Sequence, residues 1–213
     1  MNSIHKVLVL GPHTDDGKIG CGGTIAKLLE AGKEVFYAAF SIAEASVPDG
    51  LPKDILATEI KTACEVMGIK EDNLLVYSYP VRKFPQYRQN ILEDMILLRK
   101  SIKPDLVLMP ASSDVHQDHQ TIHQEGVRAF KLNRMLGYEL PKNNLSISTD
   151  MFVLLDEKHL LKKIQAIDCY DSQKHANRNY IDESYIRGLA RTRGVQIGAA
   201  YAEAFEIVRW LIC

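Results

Sequence analysis

Short apolar runs alternate with amphipathic stretches along most of the chain. The run at 7–10 ends at Gly11-Pro12 and predicts a buried strand. Four similar runs follow, at 35–40, 74–77, 106–109 and 151–155. Helical periodicity is found at 24–30, 53–67, 89–102, 121–132 and 157–168. Residues 200–211 are expected to form a final helix or a mixed segment.

This alternation of strand and helix predicts an α/β protein with a doubly wound, mostly parallel sheet flanked by helices. A length of 213 residues suits one domain, so we expect residues 1–213 to form a single domain. In such sheets, ligands bind beyond the carboxyl ends of the strands. Two predicted loops fall at that edge, at 11–23 and 110–120.

Both loops carry clusters of histidine and aspartate. The first reads Pro12-His13-Thr14-Asp15-Asp16-Gly17, and the second reads Asp114-Val115-His116-Gln117-Asp118-His119. Divalent metals such as zinc bind imidazole nitrogen and carboxylate oxygen, and catalytic zinc sites use about three protein ligands. Two histidines and one carboxylate from these loops would meet that requirement.

Structural roles are the alternative for each of these residues. Asp15 or Asp16 can cap the following helix, and an isolated histidine is more often a packed or surface residue than a ligand. The run Gly20-Cys21-Gly22-Gly23 can be a phosphate cradle at a helix N-terminus, or it can let the helix approach the sheet closely. Neither G-x-G-x-x-G nor G-x-S-x-G occurs, which disfavours dinucleotide binding and a serine-hydrolase elbow.

Composition and charge exclude several other classes of protein. The 26 basic and 27 acidic residues give a formal net charge of −1, so we expect no nucleic-acid binding. No apolar run is long enough for a membrane helix, and the N-terminus has no apolar core of a signal peptide. The four cysteines are far apart and form no C-x-x-C motif, so neither a cysteine zinc site nor a disulfide framework is expected. The predicted compartment is the cytoplasm.

The two clusters, taken in order, resemble the motifs of a known enzyme family. Residues 12–26 are similar to the H-P-D-D-E-x-x-G-x-G-G-T motif of the PIG-L/LmbE-like zinc-dependent de-N-acetylases, and 116–119 are similar to their H-x-D-H motif. Weaker similarity follows in Tyr170-Asp171-Ser172-Gln173, which resembles a Ser-Gln element, and in Tyr201-Ala202-Glu203-Ala204-Phe205, which resembles a Glu-Ala-Phe ending.

The resemblance implies a Rossmann-like fold and a mononuclear zinc site that hydrolyses N-acetylated amino sugars or their conjugates. By position, the metal ligands are His13, Asp16 and His119, with zinc as the expected metal and ferrous iron as the alternative. The implied catalytic residues are Asp15 as general base, His116, which when protonated would stabilise the oxyanion, and Asp118 as its orienting partner. Asp118 can instead be a carboxylate that hydrogen-bonds a metal ligand from outside, or a loop cap.

The chain departs from the family pattern at three positions. Thr14 stands where the motif has proline, which should make the loop less rigid, and Gly17 replaces the final glutamate. Leu56 stands where an arginine often precedes the glutamate that Glu59 matches. These departures bear on the choice of substrate more than on metal binding.

Three functions therefore stay open at this point. The first is deacetylation of a small N-acetyl sugar or sugar conjugate. The second is cleavage of another N-acyl or thiol-conjugate amide at the same metal site, and the third is a non-catalytic sugar-nucleotide binding module that uses the glycines at 20–23. The basic and aromatic stretch 82–88 is either a substrate loop or a solvated surface loop. The apolar ending 210–213 is either core or a subunit contact of a homo-oligomer.

Overall fold

A computed structural model describes residues 4–212 of the chain. Residues 1–3 and Cys213, which belong to the N-terminal and C-terminal segments considered above, lie outside the described residues. The strands are β1 (Lys6–Gly11), β2 (Glu34–Ala39), β3 (Leu74–Val76), β4 (Leu106–Pro110), β5 (Arg134–Tyr138), β6 (Met151–Leu155) and β7 (Tyr201–Arg209). The helices are α1 (Asp16–Glu30), α2 (Ile55–Met67), α3 (Arg88–Ile102), α4 (Gln117–Ala129), α5 (Glu157–Ile167), α6 (Asp171–His175) and α7 (Glu183–Gln196).

The strands form one mixed sheet in the order β3-β2-β1-β4-β5-β7-β6. Strands β1 to β5 pair in parallel, whereas β7 pairs antiparallel with both β5 and β6. The chain first adds β2 and β3 on one side of β1, and it then crosses to the other side of β1 to add β4 and β5. The predicted α/β fold with a mostly parallel sheet is therefore confirmed.

Both faces of the sheet are covered, which explains why its strands are almost wholly apolar. Side chains alternate between the two faces of a strand. In β1, Val7 and Val9 pack into a core with α1, α2, α5 and α7. Leu8 and Leu10 pack into a second core with α3 and α4.

The C-terminal segment differs from the prediction. Residues 200–211 were expected to be a helix or a mixed segment, but β7 occupies most of them and lies between β5 and β6. Its alanines and glutamates have high helix propensity, which tertiary packing overrides here. Residues 202–205 are all buried because neighbours cover both faces of the strand at that point. Trp210 and Ile212 are exposed, so these two residues are not part of the core.

The glycine run lies inside α1 rather than before it. The helix begins at Asp16, and its backbone is interrupted at Cys21, where φ is −141°. The freed N–H groups of Gly23 and Thr24 donate to the carboxylate of Glu203 at 2.9 and 2.6 Å. Glu203 also forms a buried ion pair of 2.7 Å with Lys163. The Glu-Ala-Phe ending thus supplies the cap for the second half of this helix.

The same glycines allow the helix to pack closely against its neighbours. A Cβ atom at Gly20 would overlap the ring of Tyr138, and one at Gly22 would lie 2.8 Å from Cγ of Lys163. Both glycines are buried, and this packing leaves no room for a phosphate. The phosphate-cradle interpretation, and with it the binding module built on it, is therefore wrong, and the close-approach interpretation is confirmed.

Across residues 4–212, no helix has the length and apolar character needed to cross a membrane. The three cysteines in this range, Cys21, Cys64 and Cys169, are free thiols.

We expect Gly20→Ala to lower the free energy of unfolding by about 1–3 kcal/mol, because the added methyl group must displace the buried ring of Tyr138. Gly188→Ala is the matched control. Gly188 lies on α7 with open space around it, so this change should stabilise the protein by up to about 1 kcal/mol. Urea denaturation of both variants measures the difference. Equal changes in the free energy of unfolding would show that the close contact between Gly20 and Tyr138 does not penalise a larger side chain at position 20.

Candidate active site

The parallel pairing of β1 with β4 brings the two His/Asp clusters together. Each cluster begins directly after its strand, and Val7 to Val9 pair in register with Leu106 to Leu108. The loop after β1 leads into α1 and the loop after β4 leads into α4. Both loops therefore leave the same edge of the sheet at adjacent positions, as the sequence predicted.

Three side-chain atoms converge at the centre of this site. Nδ1 of His13 lies 2.9 Å from Oδ2 of Asp16, and Nε2 of His119 lies 3.2 Å from the same oxygen. The two imidazole nitrogens are 3.4 Å apart. One nitrogen from each of His13, His116 and His119 also lies within 4.8 Å of the others, which is a looser grouping.

These separations are suitable for a single metal ion. Ligand atoms that lie about 2.0–2.2 Å from a tetrahedral metal are about 3.3–3.6 Å from one another. The three separations among His13, Asp16 and His119 equal or fall slightly below that spacing, so small shifts accommodate an ion. The donor set of two imidazoles and one carboxylate is one that zinc and ferrous iron both accept.

Two further carboxylates orient the histidines from outside. Nε2 of His13 lies 3.1 Å from Oδ2 of Asp118, and Nδ1 of His119 lies 2.7 Å from Oδ2 of Asp114. Each ring therefore points one nitrogen at the centre and bonds a carboxylate through the other. Metal-binding histidines commonly have this arrangement, in which the outer carboxylate fixes the tautomer. Asp114 received no role from the sequence, although it lies in the second cluster.

The carboxylate of Asp118 contacts His13 rather than His116. It also accepts hydrogen bonds from the backbone N–H groups of Arg82 at 2.6 Å and Phe84 at 3.2 Å. The contact with His116 runs through the backbone, since the Asp118 N–H donates to Nδ1 of His116 at 3.2 Å. The orienting contact that the sequence suggested for Asp118 thus exists, but with a different histidine.

The charges in this cluster balance one another. Burial alone would lower the pKa of His13, but Asp16 and Asp118 outweigh burial and raise that pKa to about 9. Burial alone would raise the pKa of Asp16, but His119 and His13 hold it well below its usual range. A buried carboxylate stays ionised only where such partners stabilise its charge.

Asp15 stands apart from this network. It immediately precedes α1, but its side chain makes no capping hydrogen bond, which does not support the capping interpretation for this residue. Its side chain lines the open cavity above the cluster. Burial, reinforced by the negative charge of Asp16, raises the pKa of Asp15.

His116 lies in surroundings that favour its neutral form. Burial and the neighbouring imidazoles of His119 and His13 lower its pKa to about 4. A divalent cation nearby would act in the same direction. The protonated His116 expected from the sequence stays a prediction, and these surroundings disfavour it. Because Nδ1 accepts the hydrogen bond from Asp118, the proton of the neutral ring is on Nε2.

The loop between His13 and α1 is held rigidly despite its missing proline. The backbone carbonyl of Thr14 accepts hydrogen bonds from Nζ of Lys18, the hydroxyl of Tyr37 and the hydroxyl of Tyr170, at 3.2, 3.2 and 2.7 Å. The missing glutamate has a steric reason, since a Cβ at Gly17 would lie 2.9 Å from the Tyr37 ring. Buried donors therefore replace the rigidity that Thr14 was expected to remove.

A cavity of about 330 Å³ opens above the histidines. It is lined by His13, Thr14, Asp15, Asp16, Ala43, Ser46, Leu56, Val81, Arg82, His116, Lys142, Asn143, Gln173, Arg178 and Tyr180. Four of the lining residues, Lys142, Asn143, Arg178 and Tyr180, belong to no motif found in the sequence. Arg82 lies in the basic stretch that the sequence singled out, and Gln173 lies in the Ser-Gln element, whose Ser172 hydrogen-bonds Glu59 through its hydroxyl at 2.6 Å.

Comparison with known proteins identifies the family. The sequence profile of PIG-L, described as GlcNAc-PI de-N-acetylase, matches residues 8–130, which is more than half of the chain. This chain belongs to the PIG-L family. It is a deacetylase, an enzyme that hydrolyses an amide bond.

Individual relatives cover most of this PIG-L protein. Diacetylchitobiose deacetylase of Thermococcus kodakarensis is 26% identical over 230 residues, which cover 97% of this chain and 84% of that protein. A Bacillus cereus protein named "Probable N-acetyl-alpha-D-glucosaminyl L-malate deacetylase 2" is 27% identical over 173 residues, which cover 76% of each chain. The structure of N,N'-diacetylchitobiose deacetylase from Pyrococcus horikoshii superposes with a TM-score of 0.80 at 24% identity, covering 97% of this chain and 85% of that one.

We expect Asp114→Asn to weaken zinc binding by this PIG-L protein about 10- to 100-fold. Oδ1 of Asp114 accepts a hydrogen bond from the backbone N–H of His116 at 2.9 Å, and an asparagine must keep its oxygen at that position to accept the same bond. The NH₂ group of the asparagine then faces Nδ1 of His119. That contact moves the ring proton to Nε2, the nitrogen that faces the centre of the site. Competition with a zinc chelator measures the change.

Asp105→Asn is the matched control for this experiment. Asp105 accepts hydrogen bonds only from the backbone N–H groups of His5 and Lys6 in the part of the chain that the structure describes, at 2.8 and 2.9 Å. Its substitution should leave zinc affinity unchanged. Wild-type affinity in Asp114→Asn would mean that His119 needs no carboxylate partner.

Proposed function

We propose that this protein removes the acetyl group from an N-acetylated amino sugar or its conjugate, with a divalent metal held by His13, Asp16 and His119. The metal we propose is zinc, and ferrous iron is the alternative that the same ligands accept. The observation that carries the proposal is the convergence of two imidazoles on one carboxylate oxygen, each imidazole having its own outer carboxylate.

Amide hydrolysis needs both a stronger nucleophile than neutral water and a more electrophilic carbonyl. A divalent metal at these ligands would supply Lewis acidity that lowers the pKa of water to roughly 7 and polarises the acetyl carbonyl. The protein must then hold the acetyl group, move protons and stabilise the negative charge that develops on the carbonyl oxygen.

Asp15 is our proposed general base. As the water oxygen attacks the acetyl carbon, the Asp15 carboxylate takes the proton from that water. It then gives the proton to the amide nitrogen as the C–N bond breaks, which releases the free amine and acetic acid, and the acid ionises to acetate by losing its proton to solvent. Asp15 suits both steps because it lines the cavity, makes no capping bond and has a raised pKa.

His116 is our proposed donor to the developing oxyanion. Its Nδ1 is occupied by the Asp118 N–H, so its Nε2–H is free to donate to the acetyl oxygen. A neutral ring with its proton on Nε2 can fill this role, so an imidazolium is not required. Asp118 is a positioning residue in this scheme, since its carboxylate holds His13 and its backbone holds His116.

The size of the cavity favours a small substrate. A volume of about 330 Å³ is at the lower end of the range of about 300–1,000 Å³ for small-molecule sites, which suits a single sugar unit with a short substituent. The relatives named above are deacetylases whose names contain N-acetylated sugars, and we extend that substrate class to this chain.

We expect the purified protein to contain about one equivalent of zinc or iron, and His119→Ala to lose it, because that change removes one of three ligands. His5→Ala is the control, since His5 is exposed and remote from the cluster. Elemental analysis of the three proteins gives the answer. A folded His119→Ala variant with full metal content would exclude His119 as a ligand.

Asp15→Asn should keep its metal and lose about 10²- to 10⁴-fold in kcat for acetate release, because an amide cannot accept the proton from water. The assay measures acetate from a panel of N-acetylated amino sugars and, as a comparison, from substrates with other N-acyl groups. Activity of Asp15→Asn close to that of the wild type would exclude Asp15 as the base. Release of another acyl group in preference to acetate would favour the second hypothesis for this site.

A further inference from the structure

We propose that Lys18 is a positioning residue for deacetylation, whose buried amino group fixes the Thr14 backbone carbonyl and thereby the directions of the Asp15 and Asp16 side chains. This inference rests on the proposed function, because that function gives these two consecutive aspartates the roles of general base and metal ligand. Lys18 does not line the cavity, so it acts through the loop and not on the substrate.

The amino group of Lys18 is placed where a lysine is unfavourable. The residue is wholly buried, and its Nζ lies 3.7 Å from the centre of the Tyr37 ring. Among residues 4–212, Lys18 forms no ion pair, whereas Lys163, which is also buried, pairs with Glu203 at 2.7 Å. Burial without a carboxylate partner is unfavourable in either protonation state, because an ammonium loses its hydration and an amine must first give up a proton. Fold stability alone therefore does not explain Lys18.

The hydrogen bond of Lys18 to the Thr14 carbonyl, at 3.2 Å, provides an explanation. The hydroxyls of Tyr37 and Tyr170 donate to the same oxygen, so three buried donors converge on it. A backbone carbonyl has two lone pairs, and the two tyrosines already occupy that capacity. The third donor therefore adds constraint. It fixes the plane of the peptide bond that joins Thr14 to Asp15, since that bond is rigid.

The plane of this peptide bond governs where the next two side chains point. Asp16 reaches His13 and His119 at 2.9 and 3.2 Å, whereas Asp15 lines the cavity and makes no capping hydrogen bond. Rotation of the peptide plane would turn both carboxylates and change the separation between His13 and Asp16. A displacement of about 1 Å in a catalytic group can cost about 10²-fold in rate.

Proline at position 14 would restrict the same loop by another route, because its ring fixes φ at about −65°. The backbone N–H of Thr14 donates no hydrogen bond to any residue in the range 4–212, and its buried hydroxyl has no partner there. Thr14→Pro therefore breaks no hydrogen bond of this residue and keeps its carbonyl. Proline at position 14 and Lys18 are two ways of restricting one loop, so the first should compensate for loss of the second.

The test measures zinc affinity by chelator competition, and kcat and KM for acetate release at saturating zinc. Lys18→Met removes the amino group but keeps a long side chain. We expect it to weaken zinc binding about tenfold and to lower kcat about 10- to 100-fold, with KM within about twofold of the wild type. The thermal midpoint should not fall, because the Thr14 carbonyl keeps its two tyrosine donors and an unpaired buried amino group is removed.

The double variant Thr14→Pro/Lys18→Met separates positioning from a merely structural role. Its zinc affinity and kcat should return to within about threefold of those of Thr14→Pro alone, because the two changes act on one loop and are not additive. Unchanged zinc affinity and kcat in Lys18→Met, or no recovery in the double variant, overturns the proposal.

Asn73→Leu is the matched control for Lys18→Met. Asn73 is buried, and its Nδ2 donates to the backbone carbonyl of Val35 at 3.2 Å, near the amino end of β2 and thus at the opposite edge of the sheet. This variant should lower the thermal midpoint, because it loses a buried hydrogen bond, and it should keep zinc affinity and kcat. Loss of zinc affinity in Asn73→Leu equal to that in Lys18→Met would overturn the specific role of Lys18.

Tyr170→Phe keeps the proposal testable if Lys18→Met does not fold. It removes only the hydroxyl that donates to the Thr14 carbonyl at 2.7 Å. Because the proposed effect runs through this carbonyl, zinc affinity should fall about threefold and Thr14→Pro should restore it. Wild-type zinc affinity and kcat in Tyr170→Phe would show that fixing the carbonyl does not matter, which overturns the proposal.

Zinc affinity needs no turnover, so it separates this inference from the proposed function. A zinc affinity that Lys18→Met lowers and Thr14→Pro restores, without acetate release by the wild type from any N-acetylated amino sugar, supports the hold of Lys18 on the loop and overturns the proposed substrate class. Acetate release by the wild type, with zinc affinity and kcat unchanged in Lys18→Met, does the reverse.

Discussion

The parallel pairing of β1 with β4 is the constraint on which the site depends. It places the loops after these two strands side by side, although His13 and His119 are 106 residues apart in sequence. Hydrogen bonds along the strands fix the register, and apolar side chains on both faces exclude water from those hydrogen bonds. The chemistry at the sheet edge therefore relies on the ordinary packing of the two cores beneath it.

Charge is the second constraint at this edge. Imidazoles and carboxylates are packed within hydrogen-bond distance of one another and are largely shielded from water. An unpaired ion buried in this way would be very unfavourable. His13 and His119 each lie between two carboxylates, so removing any one member leaves an uncompensated charge for its neighbours. This mutual dependence makes the arrangement stiff, and a stiff set of ligands holds a metal in one geometry.

The sequence predicted the parts of the molecule in which chemistry and local pattern coincide. The strands around 7–10 and 106–109 and both His/Asp clusters follow from apolar periodicity and from residue types that bind metals. The C-terminal strand was not predictable in this way, because its identity depends on its neighbours β5 and β6 rather than on its own propensity. The partner of Asp118 was equally inaccessible, since the choice between His13 and His116 depends on side-chain direction. Lys142 and Arg178 belong to loops whose position is set only by the complete fold.

The bond between Glu203 and the interrupted helix α1 links the two ends of the chain. Glu203 lies 180 residues after Gly23, and it satisfies the N–H groups in the middle of the helix that begins with Asp16. During synthesis, the His13 loop and its helix emerge well before Glu203, the acceptor for that helix. A nascent chain thus holds an incomplete support for this loop until β7 inserts between β5 and β6. The helix that carries Asp16 is therefore fully supported only after β7 has joined the sheet.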